Sequence, residues 1–293
     1  MSAPGDEPRR ILAYRLAAPP RPFTLLTQAG MARVRGVLQA EEEYGPPLAV
    51  HFEPETSAFR FGVSRITWRI AAASTADDPK VAAHTKLATE RAVQRLVGSR
   101  FTVFVGPHGE SAVETPTATD LLEQRLLDEI ERVFAVELAP PLPREPVGRG
   151  AHWTAHRVRA LGLAMQVDYA IELTLDDLDT DGFDLGVMTT FAADPQPPPP
   201  TPGLEANVVV DQVEGTLAGR VVRLTGEATP VYSDLDLEAV MSLTEMPIEP
   251  GDEEREPTDE ERRRGYRLVV RSREVMQADA LGPLDWEHLE DAK

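Results

Sequence analysis

Hydrophobic residues recur at every second position along much of this chain. The clearest run covers 163–175. There Leu163, Met165, Val167, Tyr169, Ile171, Leu173 and Leu175 alternate with Gln166, Asp168, Glu172 and Thr174. An unbroken period of two predicts a strand with one buried face. Asp181-Gly182 is a hairpin turn signal, and Phe183, Leu185, Val187 and Phe191 resume the alternation beyond it. The two strands are expected to pair antiparallel. Phe59, Phe61 and Val63 alternate on odd numbers, whereas Ile66, Trp68 and Ile70 alternate on even ones. That parity switch predicts a β-bulge near Ser64-Arg65. Phe101–Val105 reads as a short strand closed by the turn Gly106-Pro-His-Gly109. Leu235, Leu237, Ala239, Met241 and Leu243 alternate with acidic positions, and Tyr266, Leu268 and Val270 make a final strand. Further strand candidates are 11–16, 23–37, 207–213 and 220–228.

Two segments carry helical spacing instead. The first has Asp78 as N-cap, Pro79 at the first helical position and Gly98 just past the end, with Ala88, Ala92, Val93, Leu96 and Val97 as its apolar face. In the second, Thr117 and Asp120 resemble a capping box ahead of Leu122, Leu126, Ile130 and Val133. Long strands, tight turns and two helices predict an α+β fold: a large curved antiparallel sheet of roughly ten strands, a meander or partial barrel, with both amphipathic helices on one face. The expected order is a flexible 1–10, a domain over 11–246 with 11–138 and 147–246 as its candidate halves, a charged loop at 247–264, a strand at 265–278 and a flexible 279–293. The tetraproline within 195–202 reads as an extended loop.

Composition narrows the functional classes. The chain of 293 residues has 49 acidic and 30 basic side chains, a formal charge of −19. That surplus repels phosphate backbones and anionic lipid surfaces unless a local basic patch offsets it, so no nucleic-acid partner is expected. Cysteine is absent, which removes disulfides, thiolate metal sites and cysteine nucleophiles. No apolar run is long enough for a membrane span. The first residues carry no apolar stretch of signal-peptide type. As written, the sequence is therefore expected to be cytoplasmic. The alternative is that a segment ahead of it has been removed; the resemblance described below then implies the bacterial cell envelope or periplasm.

The candidate chemical motifs fail in context. Asp177, Asp179, Asp181 and Gly182 start like a calcium loop, but Met188 stands where the bidentate glutamate belongs and strands flank the segment. His152 and His156 lie in a strand-like segment, where four residues span about 13 Å, too far for one metal. Gly148-Arg-Gly150 precedes a strand, and Gly109-Glu-Ser111 lacks the last glycine of a nucleophile elbow. No catalytic residue, metal site or cofactor is expected.

Three pieces in order carry a resemblance: Leu96-Val-Gly98 leading to Phe101–Gly109, the helix at 119–136, and Pro146-Val-Gly148 leading to Gly150-Ala-His-Trp153-Thr before a long alternating hairpin. This pattern resembles a family of uncharacterised bacterial envelope proteins, often lipoproteins, and covers most of 10–245. The resemblance implies no catalytic residues. It also implies an export signal and a lipid-attachment cysteine, which the sequence as written lacks.

The leading functional expectation is a non-enzymatic binding protein that holds a hydrophobic or lipid-like ligand between sheet and helices. Candidate lining residues are Met165, Val167, Tyr169, Phe183, Leu185, Phe191, Leu237 and Met241, each of which equally suits a plain core position. The expectation calls for an apolar cavity of at least about 300 Å³. The alternative is a protein–protein or assembly module using the Pro-rich loop, the acidic segment or a sheet edge. Oligomeric state is not legible.

Overall fold

The alternating runs on either side of Asp181-Gly182 do close into an antiparallel hairpin, with Tyr169 opposite Phe191 and Leu173 opposite Val187. The structure, a computed structural model, describes residues 3–14, 19–35, 38–134, 139–161, 165–196, 208–225, 227, 229–245 and 258–279. In chain order the elements are β1 (Phe23–Arg35), β2 (Leu38–Tyr44), β3 (Leu48–Arg60), β4 (Val63–Thr75), α1 (Ala83–Leu96), β5 (Arg100–Val105), β6 (Ser111–Glu114), α2 (Leu121–Arg132), β7 (His152–Leu161), β8 (Met165–Leu178), β9 (Gly182–Ala193), β10 (Val208–Leu224), β11 (Tyr232–Glu245), α3 (Asp259–Arg264) and β12 (Tyr266–Ala278).

Among the described residues, the strands form one antiparallel sheet in the order β6-β5-β4-β3-β1-β12-β11-β10-β9-β8-β7, with β2 paired to the far half of β1. The last strand in sequence sits in the middle. It pairs with β1 on one side and β11 on the other, joining two meanders into one open sheet. The fold is α+β, as the alternation predicts. One hydrophobic cluster runs from Phe52 and Trp68 in the first meander to Leu173 and Leu185 in the second, and it includes Val93 of α1 and Ile130 of α2. The opposite face is charged over β11 and β12, apart from a small buried patch at Leu26 and Val275. Asp234 pairs with Arg273 at 3.0 Å and Glu238 with Arg271 at 3.4 Å, so acidic alternation on β11 meets basic alternation on β12.

Several expectations need correcting. The parity switch after Val63 comes from reversal of the chain: Phe61 and Gly62 form a two-residue turn between paired Arg60 and Val63. The register shifts of this hairpin lie farther back, between His51 and Phe52 and between Pro54 and Thr56. α1 starts at Ala83, because the Asp78 carboxylate accepts from the Lys80 amide in a local turn and does not cap the helix. Gly98 ends α1 with a φ of +90°, as its position predicts. The cap of α2 is Asp120, which accepts from the Glu123 amide at 2.9 Å. The segments 207–213 and 220–228 belong mainly to one long strand, β10. Part of the predicted charged loop is helical: Thr258 and Glu261 form a complete capping box that starts α3. Residues 3–10, expected to be flexible, hydrogen-bond to 147–152, with Ala3 bridged to His152 and Arg10 to Val147. Residues 11–14 form no strand, and 15–16 lie outside the described residues. So do 197–200 and 201–207 of the Pro-rich region, 246–257, and 280–293.

Candidate functional site

Register places the core-side residues in rows that cross the sheet. One row runs Tyr169, Phe191, Gly215, Ala239, Val270 and Met31, from β8 to β1. The next runs Ile171, Thr189, Leu217, Leu237, Ser272 and Ala29. A third includes Val213, Met241 and Leu268. Six strands at about 4.8 Å spacing make each row roughly 24 Å wide. In these rows Tyr169, Phe191, Leu217 and Leu268 are buried. Met31, Leu237, Met241 and Val270 are only partly buried while still packing on the core, and Ala29 is exposed. These side chains leave a partly open aliphatic and thioether strip, the trough, on β11, β12 and β1. Tyr169 and Phe191 form its wall, with ring centroids 5.5 Å apart. Gly215 makes the wall possible: a Cβ there would lie 2.3 Å from Cζ of Phe191, so only glycine lets that ring lie over β10.

Beyond the Ser272 row the face closes. Glu274 is almost fully buried and forms an ion pair with Arg132 at the end of α2. Ser272 Oγ also donates to Glu274 Oε1 at 3.3 Å. The pair anchors α2 across the central strand and marks where helix cover begins.

The predicted residues therefore divide. Tyr169, Phe191, Leu237 and Met241 fall in the three rows, the first two on β8 and β9 and the last two on β11. Val167 is fully buried on β8, and Met165 pairs with Leu161 at the start of that strand. Leu185 and Phe183 lie at the opposite, closed end, opposite Val221 and Arg223. Met31 and Val270 belong to the trough, but no local pattern places β1 and β12 next in line to β11.

The closed end is built around a buried cation. Arg223 lies inside the protein with its guanidinium 4.2 Å from the Tyr14 ring centroid. Tyr14 donates to the Pro140 carbonyl at 2.6 Å. Burial pushes the Tyr14 hydroxyl up to about 12, against a downward pull from Arg223 and Arg157. Burial also lowers the Arg223 pKa. The ordinary tyrosine value is 10.0. Above that pH the unfolded chain loses a proton that the folded protein keeps, so folding stability present below it is lost on the way to the raised value. The loss is about 3 kcal/mol. Tyr14→Phe removes this proton. The stability difference between wild type and Tyr14→Phe, measured by urea unfolding, is expected to hold steady below that pH and to shift against wild type above it.

A separate cavity of about 400 Å³ lies by α3, lined by Val34, Asp211, Ser242, Leu243, Arg262, Gly265, Tyr266 and Arg267. Asp211 bridges Arg262 at 2.5 Å and accepts from Thr244. None of the predicted lining residues reaches it. At the β8–β9 tip, Asp179 Oδ1 accepts from the Asp181 and Gly182 amides at 2.7 and 2.6 Å, which makes that acidic cluster part of a turn. No helix among the described residues is long and apolar enough to cross a membrane. Compared with known families and with curated proteins, the chain has no match.

Proposed function

We propose that this is a non-catalytic binding protein, and that an apolar, lipid-like molecule lies in the trough against β11, β12 and β1. One observation carries the reading. Among mostly buried neighbours on the core face, Met31, Leu237, Met241 and Val270 stay partly exposed on adjoining strands. Ligand sites are typically concave, mostly apolar and equipped with a few polar groups. Ser272 and the Arg132–Glu274 pair at the trough's inner end are the polar groups here, and their mutual contacts suit orienting a headgroup better than proton transfer. Methionine adds a flexible, polarisable surface that adapts to an irregular chain. The space between the helices and the first meander does not suit a ligand, because Phe23, Phe52, Trp68, Phe101 and Phe134 fill it and are all buried.

Titration with a fluorescent fatty acid tests the proposal. Wild type is expected to bind saturably, and Met241→Arg to weaken binding by about tenfold or more, since a cation would have to enter the apolar floor. Met188→Arg, at an exposed position outside the trough, should bind like wild type. No saturable binding, or equal binding by Met241→Arg, would overturn the reading.

A further inference from the structure

On its β3 side the β3–β4 hairpin extends past its neighbour β1, while on the other side β5 follows β4 as far as Ser64. β1 covers β3 only as far as Phe52. From Glu53 to Arg60 the outer edge of β3 has no strand partner among the described residues. Those residues reach about 26 Å. Pro54 and the neighbouring register shift suit such an open edge. By register this tip lies at the end of the sheet away from the trough.

The tip is apolar where a solvent-facing turn should be polar. Phe61 is fully exposed, and Phe59 and Val63 are also exposed. Phe61 and Gly62 have φ of +52° and +82°, the arrangement of a type I′ turn. Asparagine or glycine suits the first position, whereas a phenylalanine with positive φ is strained and here buries nothing. Local conformation therefore does not explain Phe61, and an interaction outside the chain does.

Charge identifies that interaction. From 56 to 76 the chain has Arg60, Arg65 and Arg69 and no acidic residue. Arg69 is held by Glu53 at 2.5 Å, and Arg100 occupies Glu55 at 2.6 Å. Glu110, near the end of β6, accepts from the His108 amide. Arg60 and Arg65 are exposed and have no carboxylate partner among the described residues. Arg65 packs over the Phe104 ring at 5.7 Å. A convex apolar tip flanked by unpaired arginines suits a surface that yields around it and carries negative phosphates. We propose that the β3–β4 tip docks on anionic phospholipid bilayers, with Phe59, Phe61 and Val63 entering the interface and Arg60 and Arg65 meeting headgroups. Charges farther away than about 8 Å are screened at physiological salt, so the acidic surface on the rest of the sheet acts only weakly on the tip. One such tip gives weak, reversible attachment.

Co-sedimentation with vesicles containing phosphatidylglycerol and with phosphatidylcholine vesicles tests the proposal. The full chain should bind the anionic vesicles, less well as salt rises, and bind phosphatidylcholine poorly. Phe61→Asn should reduce partitioning by about tenfold while raising the thermal unfolding midpoint, because asparagine fits the turn. Arg60→Glu with Arg65→Glu should abolish binding, and Met188→Asp should leave it unchanged. Failure to bind anionic vesicles, or undiminished binding by Phe61→Asn, would overturn the proposal. So would binding that Met188→Asp weakens as much as Phe61→Asn. A trough ligand would still be taken up by the tip variants, so the two proposals fail independently.

Discussion

Glu274→Ala is expected to lower the unfolding free energy by about 3–5 kcal/mol, the usual cost of breaking a buried ion pair from one side. Glu274 stands on the central strand, almost without solvent contact, and its partner Arg132 ends α2. Removing the carboxylate takes away the buried partner of Arg132 on the central strand and loosens the end of the helix. The cost belongs to the broken pair more than to the charges themselves. Replacing both partners with leucine is therefore expected to recover most of the loss, since apolar substitutes for buried pairs are often neutral or better. Urea unfolding of the single and double variants gives the coupling. A Glu274→Ala loss below about 1 kcal/mol, in the range of exposed pairs, would mean that α2 is not anchored here.

Phe134→Ala is the second large effect, again about 3–5 kcal/mol. Its ring lies 5.2 Å from Phe52, 5.7 Å from Phe101 and 6.0 Å from Phe23, as the aromatic contribution from the end of α2 to a nest built by β1, β3 and β5. Close packing leaves these rings little freedom to collapse into the space, so the cavity term is expected to be near its full value. Fatty-acid binding by the folded fraction should survive, because the nest lies at the Phe23 end of β1 and the trough at its Met31 end. A mild effect would mean that the space under the helices is loosely filled, which would return it to the list of ligand sites.

What could be read from the sequence was local. The unbroken alternation of 163–175 depends only on which neighbours share a face, and β8, its hairpin with β9 and their buried side follow from it. Tyr169 and Phe191 were recognisable for the same reason. The position of β12 was not. Nothing in Tyr266, Leu268 and Val270 says that they lie between β1 and β11, because that pairing closes a loop across nearly the whole chain and its register is set by distant strands. Met31 and Val270 were missed as trough residues on that account. Phe59, Phe61 and Val63 show the opposite failure. Their alternation is visible but reads as a strand that meets a bulge near Ser64-Arg65, since an aromatic residue is not the expected occupant of a left-handed turn position. The Thr258–Glu261 capping box was legible, but the surrounding charge made a loop the simpler reading.

The account depends most on an acyl chain lying in the trough beside β11. Leu237→Trp places a reporter on the trough floor, while the described native tryptophans, Trp68 and Trp153, stay buried. Fatty acids brominated along the chain quench indole fluorescence only in contact. The account predicts saturable quenching of the Leu237→Trp signal and none of a Met188→Trp control. Equal quenching of both, or of neither, would contradict it.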